Sequence, residues 1–327
     1  MNAAMSGAQT ALRQKAAIEP TADFAADVIA GLSAMPKRLR PKYFYDAAGS
    51  ALFDDITRLP EYYPTRSELG ILRDNAPAMA SLFPPCCALI EFGAGSSRKA
   101  RILLGAAATV EAYVPIDISA EFLQQEAAQF RRDLPRIAVA PIVADFTRLS
   151  DLPPALAAMP RIGFFPGSTI GNFEPEEAAE FLRRAGGVLG AGSLLIIGVD
   201  LVKDAHILDR AYNDAAGITA KFNLNLLARI NRELGGDFNL AHFEHRAFYD
   251  SGRSRIEMHL ASTKRQQVVV CGKTFAFRAD ETIHTENSYK YSVASFQALA
   301  QANGWSPLKE WTDGLFSVHA LRMTGGR

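Results

Sequence analysis

The chain has 327 residues, in which 35 lysines and arginines balance 35 aspartates and glutamates, and three cysteines. Its length suggests two domains or one domain with a large insertion, and its zero net charge offers no field for nucleic acid or an anionic membrane. Cys86 and Cys87 are adjacent and Cys271 stands apart, which gives neither a disulfide framework nor a metal-ligand spacing, so the expected compartment is the cytosol.

Residues 1–20 are alanine-rich, lack the apolar stretch of a secretory signal, and are expected to form a flexible arm without chemistry. No apolar run approaches the ~18 residues of a membrane span. Phe24, Val28, Ile29 and Leu32 recur at helical spacing, which predicts a packing helix over 21–32. The next stretch carries Tyr43, Phe44, Tyr45, Tyr62 and Tyr63 on proline-punctuated segments. Tyrosine joins an apolar ring to a hydroxyl, so these rings suit either a lid over a small polar ligand or a plug in a core. Thr65 and Glu68 read as a capping box that starts a helix directly after Pro64.

From Ala88 the pattern becomes short β-rich runs separated by helical ones, as in a parallel sheet built from βαβ units. Strands are expected over 88–92, 112–116, 138–143, 162–165 and 193–199. The first runs into Gly93-x-Gly95-x-Ser97, a turn that lets backbone approach a ligand closely, with Glu91 and Lys99 as opposite charges on its rim. The third glycine of the dinucleotide fingerprint is replaced by Ser97. Each later strand also ends in polar residues: Asp117, Asp145, Ser168 to Asn172, and Asp200. Ligands of open α/β sheets sit outside those carboxyl ends. Asp117 is placed either to accept ribose hydroxyls or to cap the following helix. Asp145 and Phe146 could receive and stack a base. Asn172 either caps the helix carrying Pro175 or holds a substrate amine.

After Asp200 the rhythm breaks. Residues 206–234 read as helical with an interruption near Gly217, with Ile207, Leu208, Ala211, Tyr212 and Ala215 on one side. Two hairpins follow, over 243–263 and 266–278, and the pattern has the look of an insertion. A helix over 293–303 and strands near 308–312 and 315–323 close the sheet. Glu286 and Ser288 lie two apart on an extended segment and so face one side, where a carboxylate and a hydroxyl can satisfy both nitrogens of an imidazole. A polar surface run is the alternative.

The strings PKYFYDAAGSALFDDITRLPEYYPTR, EFGAGSSRK, PIDIS, ADF, GSTIGN, DLVKD, RAYNDAAGITAKFN and TENSYKY resemble, in order, those of the S-adenosylmethionine-dependent L-histidine Nα-methyltransferases of ergothioneine biosynthesis. The likeness runs from about Pro41 to the C-terminus. It implies an α/β fold, a Rossmann-like class I methyltransferase sheet with a second α+β substrate domain. The methyltransferase domain would span 67–200 and 291–327, and the substrate domain 21–66 and 201–290. By this resemblance Tyr45, Gly93, Lys99, Asp117, Asp145 and Phe146 bind S-adenosylmethionine. Tyr62, Gly167, Asn172 and Tyr212 hold the amino acid's amine and carboxylate, Glu286 and Ser288 its imidazole, and Asn172 and Tyr45 serve the reacting nitrogen. Arg98 and Pro166 depart from the family's form. The expected partner is a small amino acid rather than nucleic acid or membrane, in a monomer that needs no metal. The same chemistry on another aromatic amino acid or a histidine-derived thiol, and a non-catalytic ligand sensor, are the competing readings. A nicotinamide-dependent oxidoreductase fits less well, for want of the third glycine.

Overall fold

The computed structural model describes residues 20–95 and 97–324, so the expected arm lies, except for Pro20, outside the described residues. The chain opens with α1 (Pro20–Ser33), the two-residue strand β1 (Lys37–Arg38), and the helices α2 (Ala47–Ile56) and α3 (Tyr63–Ala80). A run of strands and helices follows: β2 (Cys87–Phe92), α4 (Arg98–Ala106), β3 (Val110–Asp117), α5 (Ala120–Asp133), β4 (Ala138–Val139), β5 (Ile142–Val143), β6 (Arg161–Phe165), α6 (Pro175–Leu189) and β7 (Leu194–Asp200). Two helices, α7 (Ala205–Tyr212) and α8 (Ile218–Leu234), then lead into β8 (Phe243–Asp250), β9 (Arg255–Ser262), β10 (Gln266–Val270), β11 (Lys273–Phe277) and β12 (Thr282–Tyr289). The chain ends with α9 (Val293–Ala302), β13 (Trp305–Thr312) and β14 (Phe316–Met323).

The large sheet has the order β13-β14-β7-β6-β2-β3-β4, with β5 also paired to β3. Its strands from β2 to β7 pair in parallel, while β14 is antiparallel to both β7 and β13. This is the Rossmann-like sheet of class I methyltransferases, with the strand order reversing between β2 and β6. Alternate residues of a strand face opposite sides, and β2 buries both. Leu89 packs with Leu72 and Met79 of α3, Leu103 of α4 and Phe130 of α5, whereas Ile90 and Phe92 pack with Phe181 of α6 and Phe296 of α9. Because both faces are covered, β2 is apolar almost throughout.

A second sheet has the order β1-β12-β9-β8. β1 comes from the N-terminal segment and pairs in parallel with β12, Lys37 opposite Ile283. One apolar cluster accordingly joins residues from Phe24 to Tyr63 with residues from Leu208 to Ile283. Among the described residues no helix is long and apolar enough to cross a membrane.

Several local expectations change. The strand expected over 138–143 is two short pieces, β4 and β5. On α7 only Leu208, Ala211 and Tyr212 are buried, while Ile207 and Ala215 are exposed. Helix α3 begins at Tyr63, its N-cap is Tyr62 without a side-chain bond, and Thr65 caps nothing. Glu68 is 1% exposed and faces inward, so the capping-box reading fails because the glutamate has a stronger tertiary use.

Candidate active site

The carboxyl ends of β2, β3, β6 and β7 gather the turns between strand and helix, and β12 of the second sheet packs on one of them, Thr169–Asn172. Gly93 holds φ +72°, a left-handed conformation that costs a residue with a Cβ. A Cβ there would also stand 3.2 Å from the Phe146 ring. Phe146 in turn leans on Phe165 and Phe181, with centroids 5.5 and 5.9 Å away. The turn is fastened by the Gly93 and Ala94 amides, both donating to the Ile116 carbonyl. Ser97 replaces the third glycine because it works on the neighbouring helix: its hydroxyl donates to Glu126 of α5 and accepts from Arg101 at 3.1 Å.

Asp117 ends β3. Its carboxylate accepts from the Ser119 amide at 2.8 Å; the N-cap of α5 is Ser119, so Asp117 does not cap that helix as one of the two sequence readings had it. Burial pushes its pKa up to about 6, against the pull of the Ser119 and Ile118 amides. Asp145 accepts from the Thr147 amide at 3.0 Å and lies 3.4 Å from Lys42 Nζ. Burial favours its neutral form, but the Thr147 hydroxyl and the Lys42 charge outweigh that and hold it below the usual range. Glu91 is not on the rim. It is 1% exposed beneath the turn, takes the Tyr113 hydroxyl, and is pushed by burial up to about 8. Lys99 instead pairs with Glu68 at 2.5 Å.

The tyrosines differ in burial. Tyr43, Phe44 and Tyr63 are buried in the apolar cluster of the small sheet, while Tyr45 and Tyr62 are partly buried against it. Burial raises the Tyr45 hydroxyl well above its ordinary pKa, and the charge of Glu286, the hydroxyls of Tyr62 and Tyr212, and the charge of Asp117 push the same way. Tyr45 is therefore within electrostatic reach of both Asp117 at the end of the large sheet and Glu286 on the small one. The Tyr62 and Tyr212 rings meet edge to face at 6.2 Å.

Glu286 and Ser288 point to one face of β12, and Asn287 between them points to the other, where it donates to Glu174. The Ser288 hydroxyl receives the Tyr212 hydroxyl at 2.8 Å and Lys290 Nζ at 2.7 Å. Lys290 is fully buried and pairs with Asp200 at 2.7 Å. Asp200 also receives Tyr63 at 2.7 Å and Lys203 at 2.6 Å. Burial lowers Lys203 to about 8 despite the Asp200 charge. Burial pushes Glu286 up to about 7 against the pull of Lys290, and no donor bonds its carboxylate among the described residues.

Gly167 holds φ +84°, and its amide donates to both Glu68 oxygens at 2.9 Å. The turn Thr169–Asn172 packs on β12. Asn172 does not cap α6; that position belongs to Glu174, which forms a capping box with Glu177, Pro175 following. The residues singled out from sequence thus lie on β12, at the end of α7, on the segments before α3, and in the turns at the carboxyl ends of the large sheet with the start of α4. Sequence reasoning did not assign Glu68, Lys290 or Lys203 to this region, where they form buried ion pairs. The strings DLVKD and TENSYKY contained both lysines, each just past the end of its strand.

On the outer face of the small sheet, Glu257, His259 and His284 bring ligand-type atoms within 4.8 Å of one another. The Glu257 carboxylate is already taken by Arg255 and by His259 at 2.9 Å, which accounts for the cluster as a hydrogen-bonded network.

A parallel sheet with an antiparallel β14 inserted beside β7, and a glycine turn facing a carboxylate at the end of the next strand, defines an S-adenosylmethionine-dependent methyltransferase. The chain belongs to the family of histidine-specific, S-adenosylmethionine-dependent methyltransferases, whose model matches residues 24–323. It is 43% identical over 295 residues to the histidine N-alpha-methyltransferase of Mycobacterium tuberculosis, covering 88% of this chain and 90% of that one. It is 33% identical over 301 residues to ergothioneine biosynthesis protein 1 of Neurospora crassa, covering 88% of this chain and 33% of that one. A solved structure of a possible exported protein from Bordetella parapertussis shares the fold, with a TM-score of 0.50 at 13% identity over 99% of this chain and 97% of the other.

Proposed function

We propose that the chain methylates the α-amine of L-histidine, up to three times, to give the trimethyl betaine hercynine for ergothioneine biosynthesis. The observation that carries this reading is Glu286: a half-buried carboxylate that no donor bonds among the described residues, beside a hydroxyl on the same strand face. Neutral imidazole offers one donor and one acceptor, which matches that pair. The histidine relatives make the same substrate the natural expectation.

S-adenosylmethionine would supply an electrophilic methyl at its sulfonium. Gly93, Asp117, Asp145 and Phe146 fit that ligand: a turn without a side chain, a carboxylate for ribose hydroxyls, and a carboxylate with a ring for the base. Lys99 and Tyr45 border the same floor. Tyr62, Gly167, Asn172 and Tyr212 would orient the amine and carboxylate of histidine, with Asn172 and the Tyr45 hydroxyl nearest the nitrogen. Holding reactants as near-attack conformers can contribute about 7–11 kcal/mol, so orientation suffices and no covalent intermediate is required. Each transfer forms an N–C bond and releases S-adenosylhomocysteine and a proton. The division into a methyltransferase domain of 67–200 with 291–327 and a substrate domain of 21–66 with 201–290 is supported by the shared apolar cluster and the β1–β12 pairing.

The test is mass spectrometry of histidine incubated with the chain and S-adenosylmethionine, run beside other aromatic amino acids and a histidine-derived thiol. Histidine should gain one, two and three methyl masses; methylation of another compound with histidine untouched would refute the assignment.

A further inference from the structure

Glu68 is 1% exposed and sits on α3, the helix that begins at Tyr63. Its carboxylate makes three contacts. Both oxygens accept the Gly167 amide at 2.9 Å, and one pairs with Lys99 Nζ at 2.5 Å. Gly167 opens the turn that leads to Asn172, and Lys99 lies in the first turn of α4 behind the Gly93 turn. The two loops thus share one buried charge. Lys99 Nζ and Gly167 are themselves neighbours, since a Cβ on Gly167 would stand 3.3 Å from that nitrogen. Strand β7 makes room for the arrangement: a Cβ on Gly198 would lie 2.2 Å from Glu68 Oε1, so any other residue there would displace the carboxylate. A buried carboxylate with three charge-assisted or backbone contacts is costly to leave unpaired and resists rearrangement.

The geometry points to Glu68 as a positioning residue that couples the two ligand sites: when Lys99 is drawn to the cofactor, the Gly167–Asn172 turn settles in its amine-holding form. This rests on the proposed assignment of Lys99 to the cofactor and of Gly167 and Asn172 to the amino acid. Coupling between sites is reciprocal, and typical values are about 5–150-fold in affinity.

Calorimetry of the full chain provides the test, with histidine titrated alone and again at saturating S-adenosylhomocysteine. In the wild type the cofactor product should tighten histidine by about fivefold or more. Glu68→Gln keeps the volume but turns an amide donor toward either the Gly167 N–H or the Lys99 ammonium, and should reduce that ratio to less than about twofold. A merely structural role would weaken either ligand and leave the ratio intact, so a wild-type ratio retained in the variant overturns the proposal. So does a wild-type ratio of one with both ligands bound. If histidine does not bind at all, the substrate assignment fails, and hydrogen exchange with S-adenosylhomocysteine alone still decides the clamp. Slower exchange over residues 166–171 in the wild type, lost in Glu68→Gln, supports it; equal slowing in both overturns it. Should Glu68→Gln not fold, Lys99→Met breaks the same clamp from its more exposed side and is read by the same ratio.

Discussion

Glu286 and Asp117 are both carboxylates lifted by burial, to about 7 and about 6, yet they stand on different sheets, on β12 and at the end of β3. Asp117 keeps two backbone donors, whereas Glu286 has only the distant charge of Lys290 to oppose burial. That difference predicts a clean separation. Glu286→Ala should weaken histidine by about tenfold or more, the ~1.5–3 kcal/mol of a hydrogen bond to a charged group, and leave S-adenosylhomocysteine unchanged. Asp117→Ala should do the reverse. Calorimetry on both variants checks the pair, and a histidine affinity untouched in Glu286→Ala would remove the imidazole role. Asp117 was legible because it ends β3, where polarity interrupts an apolar run, and Glu286 because it stands two residues from Ser288 on an extended segment. Glu68 was not. Three residues after a threonine, it matched a local capping pattern, while its real partners lie at Lys99 and Gly167, far along the chain. Nothing in local spacing distinguishes a glutamate that caps its own helix from one that crosses to two other loops.

Elements were read from periodicity, and they succeeded where periodicity reflects burial. β2 and β7 are buried at every position and their apolar runs showed it. β4 and β5 failed as one strand because each contributes only two residues to the sheet, at its edge next to β3. Helix α7 misled in a different way: Ile207 matched the stripe, but the helix is only eight residues long and turns that position to solvent. The Gly93 turn is where element geometry and chemistry meet. Gly93→Ala must adopt left-handed backbone at a cost of about 1–2 kcal/mol, and its new methyl must displace the Phe146 ring. The variant should lose S-adenosylhomocysteine affinity more than histidine affinity, with a melting temperature lower by about 1–2 °C for each kcal/mol in a chain of this size. A variant that melts lower but binds S-adenosylhomocysteine normally would show that the turn serves the fold alone.

At the scale of the molecule, two units meet along the carboxyl ends of the large sheet, and the Asp200–Lys290 pair ties β7 to the residue just after β12. The break at Asp200 was visible in the sequence as the loss of the βα rhythm. The pairing of β1 with β12 was not, because two residues carry no detectable alternation. Bringing the units together encloses Glu286, and that enclosure has a consequence for stability. Its pKa is raised in the folded chain, so the fold favours the protonated form. The stabilisation is full at pH below the ordinary glutamate range and is lost as pH rises through about 7. Glu286→Gln holds the neutral state at every pH and removes this dependence. The variant should melt close to the wild type near about pH 5 and higher than it near about pH 8.5, by roughly 1–2 °C for each kcal/mol recovered. The comparison is made without ligand, because histidine would supply the missing donor and raise the wild type alone. An equal offset between the two proteins at both pH values would mean that the Glu286 carboxylate is already paired or hydrated in the free chain, and that the cleft is not closed around it.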